Sequence, residues 1–409
     1  MHLSVYLLIY KENDQFTHHR KITIELILTE PSTKEENESR LMMNSQNKPD
    51  ISQMVSPFLL FFILHATQIG EGILSFERRI SEVAGYDSWI SILLTSLATA
   101  IVIFLIWRIL PENNDLIDVH LEVFGKIIGN LFSVCFSLYF FSIAIIIVRS
   151  YIEIIQIWFF PELNVTFFLI ILYILILYIV LGGFRIVVGF AFFSVFITTF
   201  LAIFKHAAFS NGYNDNLLPI LNTEFINIIK AIEPMTFGFL GIELILIYAP
   251  FLHRFQSGLK WAILGNGLTS FVYLYSTIAI FVYYNMEQLQ KITWPSLQLW
   301  KVINFPFVER FEFVGISLHF IAIIASACLY FWAGTQCFHR ISNISFKKIA
   351  ILVAITGVFS VFYVTNFLVI EKVTTYLSKC GVYLLFGYIP FLFIWRLFVL
   401  GVKKKHGKN

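Results

Sequence analysis

The length of its apolar runs constrains this chain more than any other feature. The stretches 89–107, 167–181 and 311–332 carry almost no charge and approach the roughly 20 residues that a helix needs to cross a hydrocarbon core. A soluble fold cannot hide so much apolar surface: 58% of the 409 residues are hydrophobic and 13% are charged, against about 25% charged in ordinary soluble domains. The alternating pattern of a membrane β-barrel, about ten residues per strand, is absent. The sequence therefore predicts an all-α polytopic membrane protein, with the lipid bilayer as its first partner.

Hydropathy places about ten transmembrane helices, near 54–76, 88–109, 124–149, 166–182, 185–206, 236–256, 260–284, 312–336, 348–369 and 379–400. An even number returns the chain to the side from which it starts. The connections on that side carry Arg108, Lys126, Arg185, Arg254, Lys260, Arg340, Lys347 and Lys348, and the tail 403–409 adds Lys403, Lys404, Lys405 and Lys408. By the positive-inside rule both termini are expected to be cytoplasmic, with Arg78 and Arg79 counting the other way.

Residues 1–50 form a polar N-terminal extension unlike the membrane domain expected over 51–402. Two readings stay open, a disordered tail or a start set too early, with the true one at Met42 or Met43; the second fits better, because 42–53 reads as a short polar lead-in to a first span. A signal peptide is not expected, since the basic start and small-residue cleavage site are missing.

Two connections on the opposite side are long. One, 211–234, predicts a short amphipathic surface helix starting near Thr223 and Glu224, and the other, 286–310, predicts a loop helix with Trp294 and Trp300 at headgroup depth.

Several function classes drop out. A net charge of +3 gives no argument for nucleic acid. Cys135, Cys328, Cys337 and Cys380 show no paired spacing and read as buried free thiols without a disulfide or metal framework. No phosphate-binding loop, nucleophile elbow or zinc motif is present, so neither an enzyme nor a cofactor is expected.

The candidate site comes from two interruptions. Span one contains Ile69-Gly70-Glu71-Gly72-Ile73-Leu74, and span six, five spans later, contains Gly238-Phe239-Leu240-Gly241-Ile242-Glu243. Each glycine gives up about 1 kcal/mol of helix propensity against alanine, and a carboxylate at the bilayer centre costs at least about 2.5 kcal/mol. Glycine-interrupted segments at corresponding positions of two halves point to a transporter-type site built on inverted repeats, because unwound backbone leaves polar groups that only a ligand, an ion or protein can satisfy. The expected ligand-binding residues are Ile69, Gly70, Glu71, Gly72, Ile73, Gly238, Phe239, Gly241 and Glu243. The competing reading is that these glycines only let helices pack closely.

Other residues are weaker candidates. Arg149 and Glu153 have the spacing of a local ion pair, Lys205 and His206 end span five as snorkelling residues, and His65, His319, Tyr139, Tyr273 and Tyr275 could offer hydrogen bonds to a cavity. Asn164-Val165-Thr166 matches a glycosylation sequon that carries little weight alone.

The combination of three segments resembles the endospore germination permeases, the B subunits of nutrient germinant receptors in the amino acid/polyamine/organocation transporter superfamily. They are "ISQMVSPFLLFFILHATQIGEGILSFERRISEVAGYDSWIS" (51–91), "LPENNDLIDVHLEVFGKIIGNL" (110–131) and "TWPSLQLWKVINFPFVERFEF" (293–313). The resemblance covers about 51–405 and departs at Glu71, where the family has serine or threonine between the glycines, at Glu77 in place of a proline, and at Glu312, an acid one position late. It implies a LeuT-like 5+5 inverted repeat with broken helices 1 and 6. It also implies a nutrient such as an amino acid or nucleoside at the breaks, and a complex with A and C subunits in the spore inner membrane. An acid at position 71 favours a ligand with a cationic or proton-sharing group. The rival expectation is a proton- or cation-coupled transporter of amino acids or polyamines, and a third is a channel or scaffold with no small ligand.

Overall fold

The computed structural model describes residues 49–303, 306 and 309–406. The expected extension therefore lies outside the described residues apart from 49–50, as does the tail beyond His406. Hydrocarbon offers backbone groups no partner, so apolar runs can cross it only as helices that satisfy themselves. Among the described residues six helices are each long and apolar enough to cross a membrane; a seventh crossing is a bent pair over 225–251, and two further apolar helices, Pro57–Gln68 and Val165–Leu181, are shorter. With Phe346–Phe359 they follow the ten expected spans, and the chain is a multi-pass membrane protein.

In chain order span one is Leu60–Gln68 plus Phe76–Ala84, span two Trp89–Ile109, span three the long helix Leu116–Trp158, span four Val165–Leu181 and span five Phe184–Ile203. The second half holds span six (225–251), span seven Leu259–Tyr283, span eight Phe311–Ile341, span nine Phe346–Phe359 and span ten, Phe367–Val382 continued by a π-helical turn into Ile389–His406. We call the face that carries both ends of this bundle the near face and the opposite one the far face. Asn164 is the N-cap of span four, its side chain accepting the Phe167 N–H at 3.0 Å, and Asn366 caps span ten in the same way.

Spans three and eight pack along their length. Gly334 lets span eight approach closely, since a Cβ there would meet Phe140 and Phe141 of span three, and cross-span bonds fix its register: Ser137 Oγ donates to Gly334 O at 2.8 Å and Tyr151 Oη to Ile316 O at 2.6 Å. Such bonds contribute only about 0.6 kcal/mol each on average in membranes, so the close packing decides the arrangement. At the near face the starts of spans one and the end of span six are clasped by two backbone bonds, Val55 N–H to Phe251 O at 2.8 Å and His253 N–H to Val55 O at 3.0 Å.

A polar lock closes the near face elsewhere. Span three is interrupted at Gly125, with φ +75°, and the segment before it presents Asp115 and Asp118 to Arg340 of span eight, at 3.4 and 2.7 Å. Asp115 lies in the connection before span three, outside the membrane-spanning segments. Burial pushes its carboxyl up to about 7, the Arg340 guanidinium pulls it down, and Asp118 adds to the rise. A carboxyl raised in this way takes up a proton on folding. Its stabilising contribution is fully present below the ordinary value of 3.8 and is lost as pH rises through about 7. The thermal midpoint of the wild type minus that of Asp115→Asn, which keeps a capping side chain, is expected to fall between these limits; a flat difference across the window overturns this assignment.

Three expectations are corrected. The surface helix expected over 211–234 is instead the first half of span six, Phe225–Phe239. Trp294 and Trp300 are buried within the protein, 8% and 2% exposed, and Trp300 packs where a side chain on Gly315 would stand. Cys135 and Cys380 are exposed, not buried, although all four thiols are free. Lys205 does not snorkel; it is buried.

Candidate functional site

Span one unwinds where the glycines stand. Its first helix ends at Ile69 (φ/ψ −95°/52°), Gly70 follows at −91°/−131°, and the chain re-enters a 3₁₀ turn, Glu71–Leu74, before the second helix. Span six breaks after Phe239: Leu240 is extended and Gly241 takes φ +113°, a region open to glycine but not to residues with a Cβ. The two halves of span six meet at 52°. A Cβ on Gly241 would lie 2.5 Å from Thr67 Oγ1, and one on Gly238 2.7 Å from the Tyr273 hydroxyl, so the second break sits directly on the elements around the first.

Three carbonyls at the first break, those of Thr67, Gln68 and Gly70, each meet a side chain from another span. Ser326 Oγ donates to Thr67 O at 3.2 Å, Tyr273 Oη to Gln68 O at 2.7 Å, and His319 Nε2 lies 3.1 Å from Gly70 O. Because a carbonyl only accepts, His319 carries its proton on Nε2 there. Across the breaks, Gln68 Nε2 donates to Phe239 O at 3.2 Å and to Asn266 Oδ1 at 3.1 Å. Glu243 closes the second break on itself: Oε2 accepts the Gly241 N–H at 2.8 Å and Oε1 accepts the Tyr330 hydroxyl at 3.1 Å.

Between the breaks lies a cavity of 20 Å³, lined by Thr67, Gln68, Gly70, Glu71 and Gly72 of span one, Ile143 and Ile147 of span three, Phe237 and Leu240 of span six, and Ser326 and Tyr330 of span eight. That volume admits about one water and nothing larger. Glu71 also lines a cleft on the far face with Ser75, Arg79, Trp294, Phe367 and Ile370, so it divides the two spaces. Its Oε1 lies 3.8 Å from Arg79 Nη2, which also donates to Ser75 Oγ at 3.0 Å, and the Arg79 guanidinium stands 5.6 Å from the centroid of the Phe237 ring. Glu71, Arg79 and Phe237 together close the cavity toward the far face.

A second buried charge lies one turn beyond the break. Glu77 is fully buried, its Oε1 accepting from Ser276 and Ser296 at 2.6 Å each, and Lys205 Nζ stands 3.8 Å from it while donating to Ser296 at 2.6 Å and to Ser276. The far half of span one is thus tied to the end of span five, to span seven and to the loop helix Pro295–Leu299.

Of the residues expected at the site, Gly70, Glu71 and Gly72 line the cavity. Ile69 and Ile73 are buried beside it, Gly238, Phe239 and Gly241 form the break behind Phe237 and Leu240, and Glu243 points into that break's own backbone. Sequence reasoning missed Gln68, Arg79, Phe237, Ser326 and Tyr330. Only Arg79 offered a signal, as a basic residue two turns beyond Glu71 on one helix face. Of the weaker candidates, His65 meets Thr269 at 2.9 Å, Tyr273 and His319 hold the first break, and the Tyr139 hydroxyl is buried without a hydrogen-bond partner among the described residues. Arg149 pairs with Glu153 at 2.9 Å and donates to Val364 O at 2.9 Å, which anchors the connection between spans nine and ten.

Comparison with known proteins agrees with this geometry. Residues 54–371 match the family described as "Spore germination protein". The chain is 31% identical over 350 residues to the spore germination protein GerQB of Bacillus cereus, a match that covers 84% of this chain and 96% of that one. Among solved structures it is similar to MhsT in complex with L-phenylalanine (14% identity, TM-score 0.58, 84% and 88% of the two chains) and to Mhp1, a nucleobase-cation-symport-1 family transporter with bromovinylhydantoin bound (12%, 0.55, 82% and 78%). At such identities the likeness concerns the fold, and it shows the LeuT-like arrangement with broken spans one and six.

Proposed function

We propose that this chain, which belongs to the spore germination protein family, is the membrane subunit of a receptor that binds a small nutrient and triggers germination. The observation that carries the reading is the cavity at the meeting of two broken spans, closed toward the far face by Glu71, Arg79 and Phe237. The unit that does this is 51–402, in the spore inner membrane, with A and C subunits as partners. Its near face is cytoplasmic, on the basic residues of the near-side connections.

The nutrient is an amino acid or a nucleoside. With room for one water, the described arrangement is the closed one, and ligand binding needs spans one and six to part. Only a ligand with differential affinity for the parted and closed arrangements can shift their balance, and Glu71, which Arg79 approaches only to 3.8 Å, offers that difference to a ligand ammonium or N–H group. The parted arrangement is what the partner subunits read.

Deleting the gene and testing spores against amino acids and nucleosides examines this directly. Loss of response to at least one nutrient is expected; unchanged responses in a strain without redundant receptors sink the reading. Glu71→Gln is expected to raise the half-maximal nutrient concentration about 10- to 100-fold, the loss of one charged hydrogen bond of about 1.5–3 kcal/mol, with normal amounts of protein in the membrane. Glu71→Ser is expected to change which nutrient is preferred, and an unchanged preference counts against the site. The second reading, a coupled transporter, rests on the fold of the solved neighbours, and nutrient uptake by the purified protein in liposomes would favour it.

A further inference from the structure

Where broken spans face each other, freed carbonyls commonly gather around a monovalent cation, which holds the two breaks together. In this protein the same junction is held by neutral donors. Gln68 of span one reaches Phe239 O of span six at 3.2 Å and Asn266 Oδ1 of span seven at 3.1 Å through a single amide nitrogen.

The orientation of that amide follows from its neighbours. Phe239 O can only accept, so the group facing it is the NH₂. Asn266 is fixed in turn, since its Nδ2 donates to Ser96 O at 3.1 Å and its Oδ1 accepts from Thr99 Oγ1 at 3.1 Å. Both N–H groups of Gln68 are therefore spent on oxygens contributed by two other spans. Three further carbonyls of the first break, those of Thr67, Gln68 and Gly70, are met by Ser326, Tyr273 and His319.

We propose that the Gln68 side chain stands in place of a coupling cation. It bridges the two breaks in the closed arrangement, so the site closes and opens without sodium. The inference rests on reading the breaks as a ligand site, and it deepens that reading by separating the protein from a sodium-coupled mechanism. It does not depend on any nutrient for its test.

Gln68→Glu removes both donors and sets a carboxylate against Phe239 O and Asn266 Oδ1, an oxygen cluster that a small cation relieves. The thermal midpoint of the purified full-length protein would be compared in NaCl and in choline chloride at equal ionic strength, near about 100 mM, where a weak site is largely filled. For the wild type the two midpoints are expected to coincide. For Gln68→Glu a sodium-specific rise of about 3 °C or more is expected. If that variant does not accumulate, Asn266→Asp places the carboxylate in the same cluster from span seven and is measured in the same way. A sodium-specific rise in the wild type overturns the proposal, as does the absence of one in both variants. Spores that lack the gene yet respond normally would instead remove the receptor reading and leave the sodium result standing.

Discussion

Lys205→Ala is expected to destabilise the folded protein by about 3–5 kcal/mol, the usual consequence of stripping one partner from a buried ion pair. Lys205 is 3% and Glu77 0% exposed, so the orphaned carboxylate would be left to neutral donors such as the hydroxyls of Ser276 and Ser296. The loss would be read as a lowered thermal midpoint and reduced accumulation in the membrane. Lys205→Met combined with Glu77→Gln is expected to recover most of it, because a neutral, well-filled pair avoids the desolvation that the charged pair bears. If the single variant behaves like the wild type, the pair is not a structural tie. A double variant no better than the single would show instead that packing volume, not charge, holds the junction of spans one, five and seven.

Gly241→Ala is expected to cost about 2–4 kcal/mol, with a different origin. A backbone held in the left-handed region strains a residue with a Cβ by about 1–2 kcal/mol. The new methyl would also meet Thr67 Oγ1 at 2.5 Å and Thr67 Cβ at 2.6 Å. Thr67 has no freedom to withdraw, since its hydroxyl donates to Ile63 O and Leu64 O at 2.9 and 2.8 Å. Relief requires the second break to lift off span one, so nutrient response should fall more than protein level does. Gly189→Ala is the control: nothing lies within 4 Å of the added atom, and the midpoint should hold or rise. Equal behaviour of the two variants would contradict the close approach of the breaks.

The residue types along the chain announce the bundle almost completely, because hydrocarbon leaves a long apolar run no alternative to a helix. The two breaks were legible for the complementary reason: glycine and a carboxylate in such a run oppose both propensity and solvation. What stayed hidden depends on who meets whom. Lys205 at the end of a span looks the same whether it reaches water or meets Glu77 two elements away, and hydropathy carries no register for that pairing. Gln68 reads as one polar residue near a break, and nothing local shows that its amide spans to Phe239 and Asn266. The first half of span six reads as a surface helix because Thr223 and Glu224 offer a capping-type start and Phe225, Ile226, Ile228, Ile229 and Ile232 follow at amphipathic spacing.

The water-sized cavity between the breaks has a consequence for dose. A ligand that must wait for an opening binds with its intrinsic dissociation constant divided by the open fraction; a protein open about 1% of the time responds at about 100-fold higher concentration than its contacts alone would set. Under the proposed receptor function the threshold is then adjustable at a distance from the nutrient. A change of about 1.4 kcal/mol in the balance between the parted and closed arrangements would move the threshold about tenfold while leaving the order of preference among nutrients untouched.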